Sequence, residues 1–524
     1  MNKLALTLFV NKYYDLVFLL GVLLMALVVF AINRYLNKKQ YGKFKIKKNQ
    51  NLLKKSILIF ILLLGLMLRL YKISSPLADW HSFRQADTAS VTRLYLENGL
   101  DLLNPKYHDL SSTQSGLFNP EGFRFVEFPI FNLVHLLLVK AMPFLSFEEV
   151  GRMVSIISAL TSSILLYLLG KKIINEWGGI FASGFYLLLP FNIYFTRVIL
   201  PEPLSVTLGL ASIYLFWLFI DSGKGIQVIL SAIFMSLSVL VKPYAIFYLI
   251  PIFVIAIRKY GLINLAKKLE PYFLVVIVLL PLILWRFWIN SHPEGIPFWK
   301  WTLNGDGIRF RPAFWYWIFG ERIGKMILGV WGVVIFFIGA LIYSKRKFIQ
   351  FFLLGSLFYI SIIATANVRH DYYQILIIPS ICLALSNGLT NLWNYGKNKD
   401  RLIRIGLVVS IILMFIVSGF QVKEFYKINR PEILRAGKAA DEILPKDAIV
   451  IAPYNGDTAF LYQTKRRGWP VVDRPIDELI EKGARYFISV DFNHYQTIDF
   501  SERFETIVKD EDFTILDLKV ERSK

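Results

Sequence analysis

Long apolar runs recur through about the first 420 residues of the chain and constrain its fold more than any other feature. An α-helix needs about 20 apolar residues to cross a bilayer, and in lipid it satisfies its own backbone hydrogen bonds. The 524 residues are 55% hydrophobic, above the range of about 45–50% that is usual for soluble domains. The pattern therefore predicts a polytopic, all-α membrane domain.

The apolar runs predict about twelve spanning helices. The first run is followed by basic residues and lacks a small-residue cleavage site, so we interpret it as a span and not as a signal peptide. The approximate bounds of the predicted spans are Tyr14–Ile32, Ser56–Tyr71, Met153–Ile174, Ile180–Phe195, Leu204–Ile220, Ile226–Val241, Tyr244–Ile257, Phe273–Ile289, Met326–Tyr343, Ile349–Ala366, Tyr372–Leu392 and Ile403–Val422.

The net charge of +21 is concentrated in short connections between apolar runs. This is the pattern expected of cytoplasmic loops, with attraction to anionic membrane lipid as a secondary effect. No RNA- or DNA-binding motif accompanies the charge, which argues against a nucleic-acid partner. The single cysteine, Cys382, excludes an intrachain disulfide.

The apolar segment Ile130–Leu145 decides the topology. If it spans the membrane, four basic connections face outside; if it does not, all four face the cytoplasm together with the basic loop 34–55. We therefore predict an interfacial or re-entrant helix, in agreement with its short length and its internal His135 and Lys140. Both termini and the polar loop 74–129 then lie outside the cytoplasm.

Loop 74–129, the first outer loop, carries the densest group of ionisable residues in the membrane part: Asp79, His81, Arg84, Asp87 and Glu127. A carboxylate on an amphipathic helix at the outer surface is suited to act as a general base. Asp87 fits this role, or it caps a helix that begins in the sequence TASVTR. Asp79 is an alternative base or a solvated loop carboxylate. Glu127 precedes the Ile130 segment, where a helix-start charge interaction is the simpler interpretation.

Further ionisable and aromatic residues border the spans on the same predicted face. Together they suit the binding of a phosphate group beside a base, although snorkelling from helix ends and interfacial anchoring are simpler explanations. No metal-ligand spacing stands out, but paired carboxylates with histidine are compatible with a divalent metal. These residues are Arg197, Glu202, Lys242, His370, Asp371, Tyr372 and Tyr373.

From about Lys423 the composition becomes that of a soluble domain. The alternation of patterns predicts a small extracytoplasmic α/β domain over 423–524, after an N-terminal segment 1–55 and a membrane domain 56–422. The predicted helices are Ile433–Leu444, Asp457–Lys465 and Ile476–Lys482, and the predicted strands are Ala448–Pro453, Arg485–Val490 and Phe513–Lys519.

Several short motifs together resemble one family. DWHSFRQADTASVTR, VEFPIF, TRVILPEPLSV, LVKPYAIFYLIP, RHDYYQILIIPS, RRGWPV and GARYFISV are similar to segments of membrane glycosyltransferases of the GT-C fold. The resemblance is to the branch that contains protein O-mannosyltransferases and lipid A aminoarabinose transferases. It extends over nearly the whole chain after Ser56.

The resemblance implies a polyprenyl-phosphate-linked sugar donor and an inverting transfer to a lipid, glycan or protein acceptor outside the plasma (bacterial inner) membrane. It points to Asp87 as the base, with Asp79 as rival. In that family the first outer loop commonly begins with a paired Asp-Glu, where this chain has Asp87-Thr88. The family also has a Lys-Pro-Pro or His-Pro-Pro pattern, which here corresponds to Glu127-Phe128-Pro129, without the basic residue.

The resemblance also implies roles for residues elsewhere. Contact with the donor phosphate falls to Lys242 and to Arg84 or Arg197, and Tyr372 and Tyr373 line the substrate cavity. We also assign His81, Glu202 and His370 to this cavity. Two other classes of function stay open from the residues alone. A transporter or flippase of lipid-linked sugars usually shows internal repeats, which are not evident here. A non-catalytic assembly subunit is the other alternative.

Overall fold

The structure, a computed structural model, describes residues 43–398 and 401–522. The span predicted at Tyr14–Ile32 lies outside the described residues. The predicted fold class is confirmed, because a helical part rich in apolar segments precedes a small domain with a five-stranded sheet.

Seven helical segments of the described residues are long and apolar enough to cross a membrane. They are Gln50–Arg69, Phe147–Ile173, Glu202–Ser222, Pro243–Tyr260, Glu270–Ile289, Asp371–Gly396 and Arg401–Tyr426. The α-helices of the membrane part are Lys43–Arg69, Ser82–Asn98, Ile130–Ala141, Phe147–Ile173, Glu176–Leu188, Pro190–Phe195, Glu202–Ser222, Gly225–Val241, Leu249–Tyr260, Leu262–Ala266, Glu270–Ile289, Trp301–Asn304, Pro312–Trp315, Val333–Leu341, Phe348–Ile362, Ala364–Arg369, Ile378–Asn398 and Arg401–Val422.

Other predicted spans are shorter or interrupted. The run Ile180–Phe195 is divided at Pro190, which begins a new helix because proline has no N–H to continue the preceding one. The run Met326–Tyr343 starts in a π-helix, Tyr316–Ile327, and continues in an α-helix. The short 3₁₀ segments are Pro243–Tyr248, Pro293–Gly295, Gly305–Phe310, Lys345–Lys347, Asp371–Ile377 and Lys423–Tyr426.

One long helix shows which loops lie at which end of the membrane part. Phe147–Ile173 has 27 residues and is about 40 Å long. Near its start Glu148 pairs with Arg93 of the first outer loop at 3.1 Å, and near its end Lys172 pairs with Asp221 at 2.8 Å. The first outer loop and the connection after this helix therefore lie at opposite ends of the membrane part.

Basic connections meet at the second of these ends. Lys54, which belongs to the predicted loop 34–55 but lies in the helix Lys43–Arg69, pairs with Glu176 at 2.8 Å. Arg346 lies 4.0 Å from Asp221. Lys172 also pairs with Asp221, and its neighbour Lys171 lies 3.5 Å from Glu176, so three of the basic segments meet at one face. This common end is the arrangement that the charge pattern predicts.

The helix Ile130–Ala141 has 12 residues and is about 18 Å long, too short for a hydrocarbon core of about 30 Å. Asn132 donates to the carbonyl oxygen of Thr88 at 2.7 Å, and a ring nitrogen of His135 lies 2.9 Å from the carbonyl oxygen of Phe147. The helix therefore lies beside the first outer loop.

Within this loop the helix Ser82–Asn98 begins after His81, whose backbone is left-handed (φ 54°). Asp87 lies inside the helix, more than a turn from its start. The interpretation of Asp87 as an N-cap is therefore wrong, because the helix begins at Ser82, six residues earlier than the TASVTR pattern, which starts at Thr88, suggested.

The C-terminal domain has five strands: β1 Ile449–Ile451, β2 Arg467–Trp469, β3 Ala484–Ser489, β4 Phe504–Lys509 and β5 Thr514–Glu521. The sheet order is β2-β1-β3-β5-β4; β1 is parallel to β2 and β3, and β5 is antiparallel to β3 and β4. The helices of this domain are Glu432–Ile443, Thr458–Gln463, Ile476–Glu481 and Tyr495–Arg503.

Three elements of this domain are absent from the sequence prediction. They are β2, β4 and the helix Tyr495–Arg503. β2 has only three residues, including Gly468, and β4 alternates buried and exposed residues weakly at the edge of the sheet. Neither pattern stands out from a loop in the sequence.

The first outer loop pairs with β2. Leu110 N–H donates to the carbonyl oxygen of Gly468 at 2.8 Å, and Gly468 N–H donates to the carbonyl oxygen of His108 at 2.9 Å. A Cβ on Gly468 would lie 1.7 Å from the carbonyl oxygen of Val450 in β1, so the close approach of β1 and β2 at this position requires glycine. The loop and the C-terminal domain therefore share one backbone ladder.

Candidate active site

A cavity of about 680 Å³ lies between the first outer loop and the adjoining ends of the membrane helices. Its wall combines charged side chains with many aromatic rings. The lining residues are Phe83, Arg84, Asp87, Thr113, Gln114, Arg124, Phe125, Val126, Lys242, Pro243, Tyr244, Arg286, Ile296, Pro297, Phe298, Trp299, Trp301, Thr302, His370, Tyr372 and Tyr373.

Asp87 presents its carboxylate to this cavity and is 3% exposed. Its Oδ2 accepts from Arg124 Nη2 at 3.1 Å and from Gln114 Nε2 at 3.2 Å. Its Oδ1 accepts from the hydroxyl of Thr458 at 2.6 Å. Donors from the loop and from the C-terminal domain thus fix one buried carboxylate at the cavity wall.

Two buried ion pairs lie next to Asp87. Arg84 Nη2 donates to Glu127 Oε1 at 2.7 Å, and Lys242 Nζ donates to Glu202 Oε1 at 2.5 Å. Arg84 is also 4.0 Å from Glu202 Oε1, which joins the pairs into one network. Arg84 and Lys242 line the cavity, so two cations of this network face it.

Glu127 is ionised within this network. Burial opposes the charge, but Arg84, Arg124 and Lys242 outweigh it and hold the pKa of Glu127 below its usual value. Its Oε2 has no hydrogen-bond partner among the described residues. The same is true of Oε2 of Glu202, which is fully buried.

An aromatic wall accompanies these charges. The rings of Tyr372 and Tyr373 stack with centroids 4.8 Å apart, and Lys242 Nζ lies 4.8 Å from the centroid of Tyr373. His370 stacks on Tyr372 at 5.4 Å, and burial lowers the pKa of His370 to about 4. The histidine is therefore neutral near pH 7, as a ring that contacts apolar groups requires.

His81 lies behind this wall. Its ring is 5.5 Å from that of His370, and its Nε2 is 3.9 Å from Asp371 Oδ2. Burial is the main cause that lowers the pKa of His81 to about 3. Asp371 accepts from Trp80 Nε1 at 2.9 Å and pairs with Arg322. This cluster joins the loop to the span that begins at Asp371.

Asp79 and Arg197 form a separate pair away from the cavity. Arg197 Nη2 donates to Asp79 Oδ2 at 2.7 Å and Nη1 donates to the carbonyl oxygens of Tyr71 and Lys72 at 3.1 and 2.9 Å. Gln85 Nε2 donates to Asp79 Oδ1 at 2.6 Å. Neither Asp79 nor Arg197 lines the cavity, and in the described part of the chain no ion pair joins them to the network of Arg84, Glu127, Lys242 and Glu202.

Four residues of this region are missing from the sequence-based set: Gln114, Arg124, Arg286 and Thr458. Arg286 is a cation inside an apolar run, and this was an available signal of function. Arg124 stands three residues before Glu127, which was also visible. Thr458 is 371 residues from its partner Asp87, and no local pattern indicates that contact.

Within residues 43–398 and 401–522, no group of three or more His, Cys, Asp or Glu side chains has a geometry that suits a metal ion. The carboxylates described above instead accept from arginine, lysine or neutral hydrogen-bond donors.

Comparisons with known proteins agree with this architecture. The family model of dolichyl-phosphate-mannose-protein mannosyltransferases matches residues 137–288. The structure of ArnT from Cupriavidus metallidurans bound to undecaprenyl phosphate is similar, with a TM-score of 0.55 and 12% identity over 89% of this chain and 97% of ArnT. The chain has the GT-C glycosyltransferase fold. Its predicted resemblance to this group is confirmed.

Two further GT-C structures are similar. The archaeal oligosaccharyltransferase AglB from Archaeoglobus fulgidus, in complex with an inhibitory peptide and a dolichol-phosphate, has a TM-score of 0.53 and 9% identity over 87% of this chain and 73% of AglB. The mycobacterial arabinofuranosyltransferase AftD has a TM-score of 0.53 and 12% identity over 88% of this chain and 41% of AftD. No curated protein sequence matches the chain. At these identities the likeness establishes the fold alone.

Proposed function

We propose that the chain is a membrane glycosyltransferase that moves a sugar from a polyprenyl-phosphate donor to a lipid, glycan or protein acceptor outside the cytoplasm. The observation that carries this proposal is the cavity in which the carboxylate of Asp87 and the cations Arg84 and Lys242 share one wall. The match to the mannosyltransferase family model and the lipid carriers bound by ArnT and AglB support the donor class.

The donor phosphate binds near Lys242 and Arg84. Both side chains are buried, so their attraction for a phosphate is weakly screened. Arg286 adds a further cation to the lining, which also includes Arg124, the partner of Asp87. The stacked rings of Tyr372 and Tyr373 offer an apolar surface beside the phosphate position. Arg197 does not line the cavity and is left out of this site.

Transfer proceeds by one displacement with inversion at the anomeric carbon. The acceptor oxygen or nitrogen attacks that carbon and forms the new glycosidic bond. The bond from the anomeric carbon to the phosphate oxygen breaks, and its electron pair leaves with the polyprenyl phosphate. Asp87 takes the proton of the acceptor, and Lys242 and Arg84 stabilise the charge on the departing phosphate.

Asp87 is the proposed base because its carboxylate lines the cavity, whereas that of Asp79 does not. Glu127 is assigned a different role. It accepts from Arg84 at 2.7 Å and holds this guanidinium in the cavity wall. Glu127 is not among the lining residues of the cavity, so it is not placed to take the proton of an acceptor there.

The direct test uses purified protein with undecaprenyl-phosphate mannose and undecaprenyl-phosphate glucose as probes, and membranes of the producing cell as the source of acceptor. We expect release of undecaprenyl phosphate with at least one probe and loss of release in Asp87→Asn. Mass spectrometry of surface glycans and glycolipids from cells with and without the protein then identifies the product. An unchanged glycan and glycolipid profile, with no release from either probe, would refute the proposal.

A second experiment tests the orientation. Single cysteines in loops 34–55 and 74–129 are labelled in intact cells with a membrane-impermeant maleimide, after replacement of the buried Cys382. We expect labelling in loop 74–129 and none in loop 34–55. Labelling of both loops from one side would contradict the topology and with it the outer position of the site.

A further inference from the structure

The three donors that reach Asp87 leave one accepting position on its carboxylate. An ionised carboxylate has about four lone-pair sites. Arg124 and Gln114 occupy Oδ2, and Thr458 occupies one position of Oδ1. The remaining position lies on Oδ1, beside the hydroxyl of Thr458. The atom that accepts a proton is therefore the atom that Thr458 orients.

Thr458 belongs to the C-terminal domain and is 6% exposed. Its hydroxyl has a single proton and two neighbouring acceptors, Asp87 Oδ1 at 2.6 Å and the carbonyl oxygen of Phe83 at 3.3 Å. The shorter contact, to a charged acceptor, is the stronger hydrogen bond. The proton is therefore directed to Asp87.

The helix that begins at Thr458 is fixed against the first outer loop. Asp457 caps its start. Near its other end, the Arg93 guanidinium lies 4.0 Å from the ring centroid of Tyr462 and donates to the backbone carbonyl oxygen of Tyr462 at 3.2 Å. Gln463 Nε2 also donates to a backbone carbonyl of the loop at 3.0 Å. These contacts give the Thr458 hydroxyl a defined position relative to Asp87.

We infer that Thr458 is a positioning residue for the proposed transfer: its hydroxyl orients Oδ1 of Asp87 toward the acceptor, so that the C-terminal domain completes the active site. This inference rests on the proposed function. It assigns the domain a part in the chemistry beyond capping the opening of the cavity.

Several charged or titratable groups surround Asp87. Arg124 contacts it directly, and the side chains of Tyr107, Asp109 and Asp457 lie close enough to interact with its charge. A hydrogen bond donated to an ionised carboxylate favours the ionised form. Loss of the Thr458 hydroxyl, with the other groups unchanged, therefore favours the protonated form of the base.

The test compares Thr458→Val, Thr458→Ser and Thr464→Val in the full-length protein. Thr464 is a matched control, because it is a buried threonine at the end of the same helix whose hydroxyl donates to the Leu461 carbonyl oxygen at 2.7 Å. The measured quantities are kcat, KM for undecaprenyl-phosphate mannose or glucose, whichever is the substrate, and the pH dependence of kcat/KM.

We expect Thr458→Val to lower kcat about tenfold with little change in KM, and to move the acid limb of the pH profile to higher pH. Thr458→Ser and Thr464→Val should both have the kcat and the pH profile of the wild type. A wild-type rate and pH profile in Thr458→Val would overturn the inference. Equal losses in Thr458→Val, Thr458→Ser and Thr464→Val, with no shift of the profile, would also overturn it. Full activity of Asp87→Asn would refute the proposed base itself, which is a separate failure.

Discussion

Two carboxylates of the first outer loop, Asp79 and Asp87, each form a buried pair with a guanidinium, and the two pairs differ in what surrounds them. Asp79 binds Arg197 at 2.7 Å, and their side chains are 1% and 0% exposed. Asp87 binds Arg124 at 3.1 Å, with side chains that are 4% and 5% exposed. Burial and pairing are therefore nearly the same, and neither separates a structural carboxylate from a catalytic one. The separating feature is the cavity, which Asp87 and Arg124 line.

The origin of the partners differs as well. Arg197 ties Asp79 to the backbone after the first described span, at the carbonyl oxygens of Tyr71 and Lys72. Asp87 instead collects its donors from the loop and from the C-terminal domain. The first pair stabilises the junction between loop and membrane, whereas the second is assembled where separate parts of the chain meet.

Replacement of Asp87 by Asn gives the sharpest test of this contrast. We expect transfer to fall by about 100- to 10,000-fold, the usual contribution of a general base. The melting temperature in detergent should change less than in Asp79→Asn, because Arg124 also lies 3.9 Å from Glu127 and keeps a carboxylate nearby. Undecaprenyl phosphate should still bind, because the amide removes no cation from the cavity. Activity close to that of the wild type would show that Asp87 is not the general base and would contradict the contrast with Asp79.

Replacement of Asp79 by Asn should have the opposite profile. It leaves the buried guanidinium of Arg197 without its carboxylate, which costs about 3–5 kcal/mol of the free energy of unfolding. Thermal unfolding and the yield of folded protein measure this loss. The folded fraction should retain its activity per molecule. A stable but inactive Asp79→Asn protein would instead make Asp79 the base.

The cations of the cavity offer a third test. Lys242→Met should raise KM for the undecaprenyl-phosphate sugar about tenfold, because one charge that faces the phosphate is lost while its aliphatic stem is replaced. Lys172→Met is the matched control, since Lys172 pairs with Asp221 at the opposite end of the membrane part. An equal rise in both variants would argue against a specific phosphate contact.

The smallest expected effect concerns the junction between the loop and the C-terminal domain. Burial is the main cause that raises the pKa of Asp109 from its usual value of 3.8 to about 7. The folded protein therefore holds this proton more tightly than the unfolded chain, and the contribution to stability is present at low pH and is lost as pH rises through about 7. In the wild type, neighbouring His108 acts in the opposite direction, because burial holds its pKa well below the usual value.

The variant Asp109→Asn isolates that contribution. Its melting temperature, relative to the wild type, should rise as the pH of the measurement is raised from 4 to 8, because asparagine does not ionise. The expected change is a few degrees. A difference between the two proteins that is independent of pH would show that Asp109 has the same protonation in the folded and unfolded states.

The sequence predicted the elements with strong periodicity or long apolar runs. The membrane part, the helix near Ile433 and strand β3 follow from local pattern alone, and the charge pattern predicted that the Ile130 segment does not span. β2 was not predicted because three residues around a glycine show no alternation, and the strand is formed by pairing with β1 and with the distant His108–Leu110 segment. No short stretch of sequence indicates a contact between residues so far apart in the chain.

The candidate site was predictable to a similar extent. Arg84, Asp87, Glu127, Lys242 and the tyrosine pair were singled out as ionisable or aromatic residues at one membrane face, and the structure brings them together. Arg197 shares their local features but forms its pair elsewhere, because a residue's type and depth do not fix the direction in which its side chain points. Thr458, an ordinary threonine in a polar stretch, required the tertiary structure.

The backbone ladder between His108–Leu110 and Gly468 also has a consequence for biosynthesis. Domains of a large chain generally fold as units in the order of synthesis. The first outer loop emerges early, but its ladder partner and the hydroxyl beside Asp87 emerge only after the last membrane span. A nascent chain therefore carries the base without its final hydrogen bond until translation has passed the C-terminal helix at Thr458.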